Sequence, residues 1–250
     1  VEGASEAASD IMISVRNIFK SFGSNEVLKD FNLEISRGEN VAVLGKSGSG
    51  KSVLIKCIIG LLQPDKGRID VLGKDVTQLK HEELDRLRGK VGFLFQSNAL
   101  YDSMTVRENL EFPMRRHWIS MSREETNERV MEVLTNVGLA HTVDMMPAEL
   151  SGGMRKRIAL ARTLILNPEI MLYDEPTTGL DPITGAEISS LMVAMNEKYN
   201  TTSLIISHDM NCIKATADRI VMLIQGRNYA EGRLEDLMRV TDPEVRQFFI

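Results

Sequence analysis

The feature that most narrows the possible folds is an eight-residue run, Gly45-Lys46-Ser47-Gly48-Ser49-Gly50-Lys51-Ser52, entered directly from the apolar stretch Val41-Ala42-Val43-Leu44. Its spacing is G-x-x-x-x-G-K-[ST]. Glycines at these places let main-chain amides converge on an anion with no Cβ in the way. Helical periodicity then begins at Ser52 and runs through 52–62, so a helix would point its unpaired amides and positive dipole end at the same spot. Strand, tight glycine turn and helix in series make a cradle for phosphate groups. A ligand-free glycine turn is the plainer alternative.

Three further short apolar runs resemble the first: Val91-Gly92-Phe93-Leu94-Phe95, Ile170-Met171-Leu172-Tyr173 and Ser203-Leu204-Ile205-Ile206. Continuous apolar runs fit strands covered on both faces, as in a parallel sheet between helices. Helical periodicity also marks 123–137, 154–166 and 185–199, and strands alternating with helices predict an α/β fold. Nearer the start, Met12-Ile13-Ser14-Val15 and the segment 27–35 alternate apolar and polar residues around Gly23-Ser24-Asn25. That pattern predicts half-exposed antiparallel strands.

The residues after the four runs carry the chemistry. They are Gly45, then Gln96, then Asp174-Glu175, then Ser207-His208. Ligands of open α/β sheets bind just beyond the carboxyl ends of the strands, so four strands deliver polar groups to one edge. Lys51 is expected to reach the β- and γ-phosphates of ATP, with the Ser52 hydroxyl on Mg²⁺. Asp174 is expected to hold that metal, and Glu175 to orient and deprotonate a water. Gln96 is expected to ligate the metal and sense the γ-phosphate, and His208 to donate to it. Each has a plainer role: a solvated turn for the acid pair, a structural place for the histidine. A second anion site follows at Ser151-Gly152-Gly153-Met154, where a good N-cap and two glycines open a helix. One fold does not need two helix starts for one nucleotide, so this one is expected to face the nucleotide of a second copy.

Together these elements resemble the ABC-transporter ATPase family over nearly the whole chain. Gly45 to Ser52 looks like its Walker A, Gln96 its Q-loop, Leu150 to Met154 its signature, 170–175 its Walker B, Leu180-Asp181 its D-loop and His208 its H-loop. The resemblance implies a P-loop NTPase core of RecA-like type, with an N-terminal antiparallel β subdomain and an inserted helical subdomain at about 97–165. Residues 11–250 would form one ATPase domain and 234–250 a tail. It also implies a head-to-tail dimer with each ATP between one Walker A and the other copy's Ser151, Gly152 and Gly153, and adenine stacked on Phe22, where tyrosine is commoner. Met154 replaces the usual glutamine. Leu-Ser-Gly-Gly-Met, with 92–106, 179–184 and 242–248, looks like the ATPases of Mla/Mce-type phospholipid transporters. An amino-acid or other small-solute importer and a nucleotide-binding regulatory subunit without transport turnover are the alternatives.

Composition sets the limits. A net charge of −5 over 250 residues offers no basic stripe for nucleic acid. No apolar stretch approaches the roughly 20 residues of a membrane span, so a membrane role must come through a partner; the family resemblance implies permease subunits, with the chain at the cytoplasmic face of the inner membrane. Residues 1–10 read as a disordered leader. Cys57 and Cys212 read as buried thiols, a disulfide being the alternative. Leu100, Tyr101, Met104, Leu110, Phe112 and Met114, within 97–118, are expected to supply a permease groove or a helical core. The apolar end Phe248-Phe249-Ile250 is expected to pack on another chain, the second ATPase or an accessory subunit, a frayed or truncated tail being the alternative.

Overall fold

The computed structural model describes residues 11–117 and 121–249; the expected leader 1–10, Trp118 and Ile250 lie outside them. The strands are β1 (Ile11–Phe22), β2 (Asn25–Ser36), β3 (Asn40–Leu44), β4 (Lys66–Val71), β5 (Lys74–Asp75), β6 (Val91–Leu94), β7 (Ile170–Asp174), β8 (Thr202–Ser207), β9 (Arg219–Ile224) and β10 (Arg227–Gly232). The helices are α1 (Lys51–Ile58), α2 (His81–Arg88), α3 (Val106–Arg116), α4 (Arg123–Asn136), α5 (Gly152–Leu164), α6 (Pro182–Tyr199), α7 (Met210–Thr216), α8 (Leu234–Arg239) and α9 (Pro243–Arg246).

The alternating segments form the expected antiparallel pair, β1 with β2, within a sheet of order β2-β1-β4-β5. In β2 the period of two puts Phe31, Leu33 and Ile35 inside and Asn32 and Glu34 outside. The register slips where Asn17 and Asp30 take positive φ, 49° and 52°. Their side chains pin the irregularity: Asn17 Nδ2 donates to Asp30 Oδ1 at 2.8 Å, and Asn17 N to Asn32 Oδ1 at 2.8 Å.

The four apolar runs all enter a second sheet of order β10-β9-β3-β8-β7-β6. Its strands are parallel except for the antiparallel edge strand β10. The strands divide their side chains between two cores. Val41, Val43, Ile170, Leu172, Leu204 and Ile206 face α1 and the β1–β2 sheet. Ala42, Leu44, Met171, Tyr173 and Ile205 face α5, α6 and α7. Burial on both faces is why these runs are continuous rather than alternating, and each fully buried aliphatic side chain contributes about 1.5–3 kcal/mol.

A third core lies among α3, α4 and α5, around Val106, Leu110, Val130, Leu134 and Ile158. Thr105 and Ser122 start α3 and α4 with capping boxes completed by Glu108 and Glu125, each cap being worth about 1 kcal/mol. Leu110 and Met114 belong to this core, so of the apolar groove candidates these two are packing residues. Tyr101 stays exposed, its ring 4.8 Å from Phe112.

At the C-terminal end Val245 is buried, and Phe248 and Phe249, each half-buried, pack against the protein's own second core beside Leu237. Cys57 and Cys212 are free and buried.

Candidate functional site

Register makes the strand ends level. Leu44 pairs with Ser207, Ile206 with Asp174 and Tyr173 with Leu94, so the loops after β3, β8, β7 and β6 leave the sheet side by side. The expected residues Gly45, His208, Glu175 and Gln96 are therefore brought to one edge.

In the loop after β3, glycine is required at two places. A Cβ on Gly45 would lie 2.6 Å from Ser49 Oγ and 2.8 Å from Leu223 O, and one on Gly50, at φ 104°, would lie 2.7 Å from Val27 Cγ1. Lys51 is 6% exposed, and its ammonium donates to Gly45 O at 2.8 Å and Lys46 O at 3.2 Å. Glu175 Oε1 lies 3.6 Å away. Ser49 Oγ is buried with no hydrogen-bond partner, an orphan polar atom inside a loop built to receive an anion.

Ser52 Oγ donates to Asp174 Oδ1 at 3.1 Å. Burial raises the Asp174 carboxyl above its ordinary range, opposed by the Ser52 hydrogen bond, and the Glu175 charge raises it further. The charges of Lys56 and Lys51 offset this only in part, and a buried carboxyl held up in this way is suited to a cation. Glu175, at φ 51°, receives three donors or near neighbours on Oε2: His208 Nδ1 at 2.8 Å, Thr178 Oγ1 at 3.2 Å and His208 N at 3.4 Å. The His208 side chain is 62% exposed.

Gln96 is exposed, and its main chain is fixed by Lys156 Nζ, which donates to Gln96 O at 3.1 Å. Phe22 is 50% exposed at the end of β1, with Lys20 Nζ 5.4 Å from its ring centre. Val27, against which Gly50 packs, follows two residues after Phe22's cross-strand partner Asn25, so β2 runs from the Phe22 turn to the glycine loop. Ser151 caps α5 by accepting from Met154 N at 3.2 Å. A Cβ on Gly152 would meet nothing within 4 Å, whereas one on Gly153 would lie 2.8 Å from Thr184 Cγ2. The start of α5 therefore opens to the surface. Asp181 caps α6, accepting from Ile183 N and Thr184 N at 3.1 Å and from Thr184 Oγ1 at 2.6 Å. Those hydrogen bonds hold its carboxyl below the usual range.

The family model described as ABC transporter matches residues 28–178, a span holding the glycine loop, Gln96, the start of α5 and the acid pair. This chain is an ABC transporter ATPase. Among relatives of this ATPase, the "probable ribonucleotide transport ATP-binding protein mkl" of Mycobacterium leprae is 41% identical over 238 residues, covering 95% of this chain and 68% of that one. The intermembrane phospholipid transport system ATP-binding protein MlaF of Haemophilus influenzae is 38% identical over 237 residues, 95% of this chain and 89% of that one. The dimeric structure of MJ0796, a bacterial ABC transporter cassette, superposes with a TM-score of 0.82 at 35% identity, covering 89% of this chain and 99% of that one.

An ABC ATPase binds ATP, and the anion loop, the buried lysine and the unpartnered Ser49 hydroxyl fit its phosphates. Two cations, one buried and one half-buried, were not singled out from the sequence. Lys156 is 2% exposed, and burial pulls its ammonium down to about 8. Its signal was there to read: positions 156, 160 and 164 form one helix stripe with Leu160 and Leu164. Arg162, the other, grips the loop after Gln96.

Proposed function

We propose that this ATPase drives phospholipid movement of the Mla/Mce type, as two head-to-tail copies that close on two ATP molecules. The observation that carries the nucleotide reading is the meeting of Lys51, Ser52, Asp174, Glu175 and His208 at one sheet edge. The surface-facing Ser151-Gly152-Gly153 start of α5 supports the dimer: a second anion site directed outward suits a neighbour's nucleotide, and the related MJ0796 cassette is described as dimeric.

In this reading Gly45, Lys46, Ser47, Gly48, Ser49 and Gly50 offer amides to the phosphates, and Lys51 exchanges its two carbonyl partners for phosphate oxygens. Phe22 offers its face to adenine. Glu175 takes a proton from the attacking water, while His208 donates to the phosphate and Gln96 reports its presence. Among the described residues no cluster of three or more His, Cys, Asp or Glu side chains could hold a metal. Ser52, Asp174 and Gln96 are instead hard oxygen donors of the kind Mg²⁺ takes alongside phosphates. Mg²⁺ bound there would neutralise charge on the phosphates. Asp181 joins the interface between the copies.

No helix among the described residues is long and apolar enough to cross a membrane; in this reading a permease holds the ATPase at the cytoplasmic face of the inner membrane, which the transport names of its relatives support. A groove of about 300 Å³ lined by Phe93, Phe95, Tyr101, Phe112 and Pro113 suits a cytosolic permease helix. The phospholipid substrate is supported by the Leu150–Met154 sequence and the likeness to MlaF. Transport of a small solute is the second reading, favoured by the name of the mycobacterial relative. Purification with its membrane partners decides: a co-purifying lipid-binding protein and ATP-dependent phospholipid transfer between vesicles are expected. A soluble small-molecule receptor in their place would refute the lipid reading.

A further inference from the structure

The loop after Gln96 has one turn hydrogen bond of its own, Asn98 N donating to Phe95 O at 3.1 Å, and a costly backbone. Two consecutive non-glycine residues take left-handed backbone, Asn98 at φ 63° and Ala99 at φ 52°. Asparagine tolerates this conformation, and alanine has no side-chain hydrogen bond to offset it. Asn98 Oδ1 adds nothing, being buried with no partner.

The restraint comes from α5. Arg162 Nη1 donates to Ala99 O at 2.6 Å and Nη2 to Asn98 O at 2.9 Å. One turn and a half earlier on the same helix, Lys156 Nζ donates to Gln96 O at 3.1 Å. Three main-chain carbonyls of the loop are thus held by two cations of one helix, and that helix begins at Ser151 with the outward anion site. The planar fork of an arginine matches two successive carbonyls, which a lysine ammonium cannot span with the same geometry. Arg162 also lines the groove beside Phe95, Tyr101 and Phe112, so it stands between the permease groove and Gln96.

We infer that Arg162 is a positioning residue for hydrolysis: its fork locks the Asn98–Ala99 turn onto α5, so that Gln96 and the Ser151 helix start move as one body. A lone role in stability would leave the kinetics of folded molecules untouched; a positioning role would not. The inference rests on reading Gln96 as a ligand at the nucleotide, and its test separates the two.

The test compares Arg162→Gln, Arg162→Lys and Gln96→Ala in the full chain with its membrane partners, below the melting temperature of each. Two quantities are read: amide exchange over residues 96–101, and kcat and KM for ATP. In Arg162→Gln, exchange over 96–101 rises about tenfold or more. Its kcat falls about 10- to 100-fold while KM stays within about twofold, since misplacement rather than binding is at fault. Arg162→Lys recovers part of both. Unchanged exchange in Arg162→Gln, or faster exchange with normal kcat, overturns the inference. If Arg162→Gln does not fold, Arg162→Lys carries the same reading: kcat reduced at constant KM supports it, and unaltered kcat overturns it. Normal kcat in Gln96→Ala removes the ligand reading instead, and the exchange measurement alone then decides whether the grip exists.

Discussion

At the residue scale, Glu175 holds the site together. Its backbone turns left-handed as β7 ends, which directs one carboxylate between Lys51 at 3.6 Å and His208 at 2.8 Å. Glu175→Gln keeps the shape and the hydrogen-bonding reach but removes the proposed base. It should bind ATP with near-normal affinity and lose about 10²- to 10⁴-fold in kcat, measured by single-turnover hydrolysis beside nucleotide titration. Lys51→Ala should act on binding itself, raising the ATP dissociation constant by at least about tenfold, or about 1.4 kcal/mol, in the same titration. The thiols give a pH prediction. Burial pushes the Cys57 thiol up to about 11, so below about pH 8.5 the unfolded thiol and the folded one are both protonated. Above that the unfolded chain ionises first, and the stability that Cys57 contributes is lost as pH rises towards about 11. Denaturant midpoints should fall over this window, and Cys57→Ala should flatten the fall; an identical slope in both proteins would contradict the assignment.

At the element scale, capping and cross-links matter more than propensity. Asn109 is fully buried in α3, accepting from Tyr101 N at 2.8 Å and donating to the carbonyls of Tyr101, Met104 and Thr105. Asn109→Ala strands those main-chain groups and should cost about 1–3 kcal/mol, read from chemical denaturation. How far the elements could be read ahead of the structure follows from the same physics. Continuous apolar runs ending in Gly45, Gln96, Asp174 and His208 announced four parallel strands, period announced α1, α4, α5 and α6, and the Ser151 cap announced the start of α5. β9 has an equally apolar run but ends in Gln225-Gly226, so no chemistry drew attention to it. β4 has only two apolar residues, Ile69 and Val71, at its end, and β5 has two residues, too few to show a period. α3 was obscured by Pro113 inside it, a residue that ordinarily ends a helix. The grip of Lys156 and Arg162 on the Gln96 loop joins segments 60 or more residues apart, which local pattern cannot reveal.

At the scale of the whole molecule, three cores separate the tasks. One joins the β1–β2 sheet to the parallel sheet and backs the glycine loop, one seats α6 and α7, and one fills the α3–α5 lobe. The lobe carries the surface-facing start of α5 and, along that helix, part of the lining of the groove beside Phe95 and Tyr101, so the proposed closure at the nucleotide and the proposed permease contact would share a helix. The account's central claim is that each ATP needs two copies of this chain. Hydrolysis per chain, followed against protein concentration together with mass in solution, tests it most directly. Rate per chain should climb with concentration as dimers form and vanish where only single chains remain. A constant rate per chain, sustained by a species with the mass of one chain, would contradict it.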